Sequence, residues 1–109
     1  MKNVVWNDIK DPSISQLKEF ELKKVYIHGK ELCIGKMKGE FFAVDNKCPH
    51  AGGPFDKGFC TSSGFLVCPL HSYKFNVKTS LCSGDSFYRL KKYPVRQLGE
   101  SLQVGFLDY

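Results

Sequence analysis

Two short motifs constrain this chain more than anything else in it. Cys48-Pro49-His50 is followed, after a gap of 17 residues, by Cys68-Pro69-Leu70-His71. Each motif puts a thiol and an imidazole on a tight, proline-containing turn. If the two turns face each other, four metal-ligating side chains converge, and the flanking segments must hold them there. The chain has little else to lean on. Its 109 residues make one domain, and a domain this small is short of buried area and often needs a metal or disulfide staple. Hydrophobic residues are 42% and charged residues 25%, which is ordinary globular usage and argues against disorder.

The rest of the pattern is one of short strands. Lys23 to Ile27 sets Val25 and Ile27 on one side, and Gly29-Lys30 breaks the run. Leu32 to Lys36 forms the next strand, Lys38-Gly39 breaks again, and Phe41 to Asp45 follows. Short β-rich runs with two-residue glycine breaks read as hairpins. Residues 46–62, with Pro49, Gly52, Gly53, Pro54 and Gly58, read as loop. Phe65-Leu66-Val67 and Tyr73 to Val77 read as strands, and Leu81 to Asp85 as loop. One strand over 87–97, a turn at Gly99-Glu100 and a strand over 102–106 close the chain. Residues 8–21 read as a loop with one helical turn. About nine short strands and almost no helix predict an all-β fold.

Sixteen Lys and Arg against eleven Asp and Glu give a formal net charge of +5. The basic residues are spread out, with pairs at Lys23-Lys24 and Lys91-Lys92. They suit a solvated surface, or a face that draws an acidic partner protein. No concentrated basic run or recognition-helix pattern points to nucleic acid. No apolar stretch has the length of a membrane span, and the first residues lack the apolar core of a secretory signal. Five cysteines, an odd number, suit a reducing compartment better than a disulfide framework. The expectation is a cytoplasmic protein that binds neither membrane nor nucleic acid.

Two Cys and two His can hold zinc in a tetrahedron. Zinc fingers, however, pair Cys with Cys and His with His, at spacings unlike these. A [2Fe–2S] cluster offers another arrangement. Each motif would give one iron a Cys and the other iron a His, so that one iron carries both sulfurs and the other both nitrogens. On the residues alone both metals stay open.

The paired motifs resemble the ligand boxes of Rieske [2Fe–2S] proteins. The similarity extends to Phe42-Ala43-Val44-Asp45 before the first box, and to Gly52-Gly53-Pro54-Phe55 and Gly58 after it. It continues through Val67 at the second box, Phe75-Asn76-Val77-Lys78-Thr79 and Tyr93-Pro94-Val95-Arg96, so that it spans residues 22–106. The resemblance implies that Cys48 and Cys68 ligate one iron. It implies that His50 and His71 ligate the other, near the surface. It further implies one domain over 1–109, built of small antiparallel sheets, with a cluster-binding subdomain at one tip and its loops at 46–72.

The departures from the family pattern carry expectations of their own. Respiratory members add one Cys to each box and join the two as a disulfide; here those places hold Gly53 and Leu70, so that bridge is absent. Their Ser and Tyr after the second His correspond to Tyr73 and Phe75, while the hydroxyls of Ser72 and Tyr73 stand one position away. Fewer donors to sulfur stabilise the reduced state less, which predicts a potential of around −150 mV, the low end of the Rieske range. Many ferredoxins of the family have Gly after the second His and Thr-Gly after the next strand. This chain has Ser72 and Thr79-Ser80, which predicts altered loop geometry. Cys33 reads as a buried strand residue, and Cys60 and Cys82 as structural rather than ligating. A redox-sensing role for them would require an accessible, low-pKa thiolate. His28 reads as a surface turn residue. Ser83-Gly84-Asp85-Ser86 reads as a third loop over the cluster, its glycine permitting close backbone approach.

The mononuclear iron of an oxygenase needs two His and a carboxylate. After His50 and His71 are used, only His28 remains. No Gly-x-Gly-x-x-Gly nucleotide fingerprint occurs. The expectation is therefore an electron carrier and not an enzyme. It would be a Rieske-type ferredoxin passing electrons from a flavoprotein reductase to an oxygenase or other oxidoreductase. Lys91-Lys92-Tyr93-Pro94-Val95-Arg96 and Cys82-Ser83-Gly84-Asp85 also resemble the small subunit of NADH-dependent nitrite reductase, which keeps a permanent-subunit reading as the alternative. A zinc-stapled interaction module is the third, and its lack of colour would distinguish it.

Overall fold

Strands β2 (Leu22–Ile27), β3 (Lys30–Met37) and β4 (Glu40–Asp45) form two consecutive antiparallel hairpins. Their loops are His28-Gly29 and Lys38-Gly39, and all four residues have positive φ, from 50° to 78°. That is the two-residue type I′ turn, whose twist matches that of the flanking strands. The first break therefore falls one residue earlier than the sequence suggested. The computed structural model describes residues 3–49, 52–70, 72–99 and 101–108, with the backbone alone at 85–87 and 107–108.

β3 and β4 are buried on both faces. Leu32, Ile34 and Ala43 join one core with Val25, Ile27, Tyr93, Leu102 and Val104. Cys33, Met37, Phe42 and Val44 join a second core. Side chains alternate across a strand, so a run such as Leu32-Cys33-Ile34 feeds two cores at once. That accounts for its unbroken apolar character.

β10 (Lys92–Tyr93) extends this sheet in the order β10-β4-β3-β2. A second sheet has the order β1-β12-β11, formed by β1 (Asn3–Asp8), β11 (Val95–Leu98) and β12 (Ser101–Asp108). The third runs in sequence order from β5 (Phe59–Cys60) through β6 (Phe65–Val67), β7 (Lys74–Asn76) and β8 (Leu81–Cys82) to β9 (Asp85–Arg89). All pairings are antiparallel. The helical elements among the described residues are two 3₁₀ turns, Ile14–Gln16 and Phe55–Lys57. The all-β, small-sheet architecture expected from sequence is the one observed. No helix among the described residues is long and apolar enough to cross a membrane.

Several boundaries differ from the sequence reading. There are twelve described strands. β1 lies in a segment for which no strand was expected, and β5 lies within the expected 46–62 loop. The expected 81–85 loop is a hairpin, with Ser83-Gly84 turning between β8 and β9. Gly84 has φ +85°, and a Cβ built there would meet nothing within 4 Å. Its role is the turn, not close approach; the side chains of Asp85 and Ser86 lie outside the described residues. The single strand expected over 87–97 is broken into β9, β10 and β11. Buried Leu90 leaves the third sheet, its N–H donating to the Ser80 carbonyl at 2.8 Å. Pro94, which has no N–H to give a ladder, separates β10 from β11, and its carbonyl accepts Gly105 N–H at 2.9 Å. The chain thereby crosses all three sheets in a few residues.

Candidate metal centre

Cys48 follows β4 and Cys68 follows β6, so each cysteine leaves a buried strand for an exposed loop. Short backbone bonds shape both loops. Cys48 N–H donates to the Gly53 carbonyl at 2.8 Å, and Gly52 N–H to the Cys48 carbonyl at 2.8 Å. Cys68 N–H donates to the Tyr73 carbonyl at 2.9 Å, and Leu70 N–H points at Cys68 Sγ at 3.4 Å. The two cysteines, 20 positions apart in sequence, are each 1% exposed, and the Cys48 thiol adjoins that of Cys68. Pro49, Pro69 and Leu70 around them are exposed.

The two loops share an aromatic support. Phe55, just past the first loop, and Phe75, just past the second, are both fully buried. Their rings meet edge to face at 5.6 Å and 89°. Such a pair contributes about 0.5–1.5 kcal/mol beyond the area it buries.

Burial pushes the Cys68 thiol above its ordinary pKa. The Leu70 and Gly53 peptide N–H groups act in the opposite direction, and the adjoining Cys48 thiol adds to the rise. Two dry thiols side by side, with peptide donors aimed at one sulfur, form a donor set suited to a thiolate-bound metal group. Metal charge would replace the protons that burial otherwise retains. The surroundings are fitted to the sulfur: a Cβ at Gly53 would lie 2.8 Å from Cys68 Sγ and 3.0 Å from Leu70 Cγ. The structure thus brings Cys48 and Cys68 together. His50 and His71 lie outside the described residues.

None of the five cysteines is in a disulfide. Cys33 and Cys82 are buried in the same core as Cys48 and Cys68, and half-buried Cys60 packs against it. Burial pushes the Cys33 thiol well up and that of Cys60 to about 11, with Glu19 adding to the latter. Neither is the low-pKa thiolate that redox sensing requires. His28 is an exposed turn residue, its Nε2 2.6 Å from Asn7 Oδ1.

At Ser72 and Ser80, where the sequence predicted altered loop geometry, the backbone instead keeps the form that glycine takes. Both residues adopt positive φ, 56° and 67°, the conformation glycine takes without cost. Serine here occupies a glycine-like backbone.

Sequence reasoning passed over Asn46 and Asp56. Asn46 is the one buried polar side chain among the described residues. The signal available was a carboxamide directly after the apolar run Phe42–Val44 and two positions before Cys48.

A model of the Rieske [2Fe–2S] domain matches residues 7–94. The ferredoxin component of the naphthalene 1,2-dioxygenase system of Pseudomonas aeruginosa is 31% identical over 94 residues, covering 84% of this chain and 88% of that protein. Among solved structures, the ferredoxin of carbazole 1,9a-dioxygenase from Nocardioides aromaticivorans IC177 superposes with a TM-score of 0.74 at 25% identity, covering 84% of this chain and 89% of that one. A protein described as an NADH-dependent nitrite reductase small subunit from Mycobacterium tuberculosis gives 0.84 over 98% of this chain and 99% of its own. At 20% identity, that last likeness is one of fold alone.

Proposed function

Because this chain belongs to the Rieske [2Fe–2S] domain family, we propose that it is a one-electron carrier, taking an electron from a flavoprotein reductase and passing it to an oxygenase or other oxidoreductase. The cofactor of this domain is a [2Fe–2S] cluster. Cys48 and Cys68 are read as ligands of one iron, and His50 and His71 as ligands of the other. The loops over 46–72 form the tip of a single domain spanning 1–109. The observation that carries this reading is the pair of buried, adjoining thiols at the roots of two loops.

When bound, the cluster accepts and returns one electron without forming a bond to a substrate. This chain's residues do the rest. Buried Cys48 and Cys68 keep their sulfurs away from water. The imidazoles of His50 and His71, on the same loops, give the electron a short path to a partner and a place for a coupled proton. Leu70, 46% exposed beside Cys68, offers that partner an apolar contact. The net charge of +5 favours a partner with an acidic face. The relatives named as ferredoxin components of dioxygenase systems support an oxygenase as acceptor. They also support a shuttle over a permanent nitrite reductase subunit, whose likeness is one of fold. A cytoplasmic location suits such a shuttle.

The test is reduction of the purified, coloured protein by NADH and a flavoprotein reductase, followed as bleaching of the visible absorbance. The expected rate falls with rising salt, because surface attraction is screened. A protein that co-purifies one to one with a large sirohaem-containing partner and exchanges no electron when free would instead be a fixed subunit. A colourless zinc protein would be a stapled interaction module.

A further inference from the structure

Asn46 is 4% exposed. Its side-chain amide donates to Glu31 Oε2 at 2.9 Å and to Asp56 Oδ1 at 2.6 Å. Its Oδ1 accepts Asp56 N–H at 2.8 Å, and its own N–H donates to the Glu31 carbonyl at 3.0 Å. The bonds to Asp56 close residues 46–56 into a ring. The bonds to Glu31 fasten that ring to β3. Glu31 is held in turn, because its Oε1 accepts the Tyr26 hydroxyl at 3.0 Å. Inside the ring lie Cys48 and the two backbone hydrogen bonds that shape its turn.

A buried carboxamide is costly unless every donor and acceptor finds a partner. An apolar side chain would fill the same space without that demand. The demand is met here by two separate segments at once, β3 through Glu31 and the 3₁₀ turn through Asp56, which is the behaviour of a clamp.

We propose that Asn46 is the positioning residue of the first ligand loop: by joining Asp56 to Glu31 it closes residues 46–56 and places Cys48 Sγ against Cys68 Sγ. It thereby governs how firmly the cluster is kept and the potential at which it is reduced. The inference rests on the reading of Cys48 as an iron ligand.

The experiment compares holoprotein variants by the half-time of iron release to a chelator, the reduction midpoint and the EPR g values of the reduced form. In Asn46→Ala, release is expected to be about tenfold faster, the lower end of what losing an outer-sphere partner costs, with a shifted midpoint and a changed g spread. Asp56→Asn keeps both an acceptor oxygen and the peptide N–H, so it is expected to behave as wild type. Asp56→Ala loses the acceptor alone and is expected to fall between the two. It supplies the same readout if Asn46→Ala does not fold.

Loaded variants with unchanged release and midpoint would overturn the clamp and leave the ligand assignment standing. Asp56→Asn as damaging as Asp56→Ala would also overturn it, because charge and not hydrogen bonding would then be at work. Wild-type protein without iron and sulfide would overturn the ligand reading, and the clamp with it.

Discussion

Gly53→Ala isolates the fit around the second cysteine. The added Cβ would sit 2.8 Å from Cys68 Sγ, 3.0 Å from Leu70 Cγ and 3.2 Å from Leu70 Cδ1. Ordinary contact for a Cβ begins at 3.4 Å, so all three approaches are too close. In cluster-free protein the Cys68 side chain is the far end of one rotatable bond and can swing aside at small cost. With its sulfur bound to iron it cannot, and the overlap must be relieved by the loop backbone. Inserting a methyl group into a packed site costs typically 1–3 kcal/mol. Applied to the loaded state alone, this weakens cluster retention by about 5- to 150-fold. The assay is anaerobic reconstitution followed by chelator challenge, with thermal unfolding of the cluster-free protein as control. The expected result is faster iron loss with a nearly unchanged control. A variant that loads and holds iron as wild type does, with unaltered g values, would refute the argument that Gly53 is the wall against which the ligand is seated.

Ser72→Gly and Ser80→Gly should each stabilise the protein, because both serines hold positive φ. The left-handed conformation costs an L-residue roughly 1–2 kcal/mol, and glycine's larger freedom when unfolded offsets about half of that. A rise of about 2–8 °C in unfolding midpoint at matched cluster loading follows for each; no rise would show that the serine side chains compensate for the strain. Asp11 should titrate at about 2 instead of 3.8, because the Ser13 hydroxyl, then Lys23 and the Ser13 N–H, bind its carboxylate. Folding thus favours the ionised form, so this contribution is complete above the unfolded value and is lost as pH falls through about 2. An NMR titration with its midpoint near 3.8 would contradict it.

The hairpins were legible because their signals are local. Gly29 and Gly39 sit in two-residue loops between β-branched and aromatic runs, and the structure needs positive φ there. The approach of Cys48 to Cys68 was legible because each lies in a short local motif; His50 and His71 of the same motifs lie outside the described residues. β1 was not legible. Its partner β12 pairs Asn3 with Asp108 across almost the whole chain, and no turn signal connects them. The break of the 87–97 segment was missed because its cause is tertiary. Leu90 is drawn into the core beneath the third sheet, and Lys92-Tyr93 pairs with β4, some fifty residues earlier. The Asn46 clamp was missed for a similar reason. Glu31 and Asp56 are unremarkable surface types in sequence, and only the fold sets them on either side of one buried amide.

Electron transfer by this chain requires a [2Fe–2S] cluster held by two Cys and two His. Low-temperature EPR of dithionite-reduced protein, purified without oxygen and accompanied by iron and sulfide analysis, tests it most directly. The expected result is two irons and two sulfides per chain and a rhombic signal with the low average g of mixed Cys/His ligation. A silent sample containing zinc and no sulfide would contradict it and leave a metal-stapled binding domain.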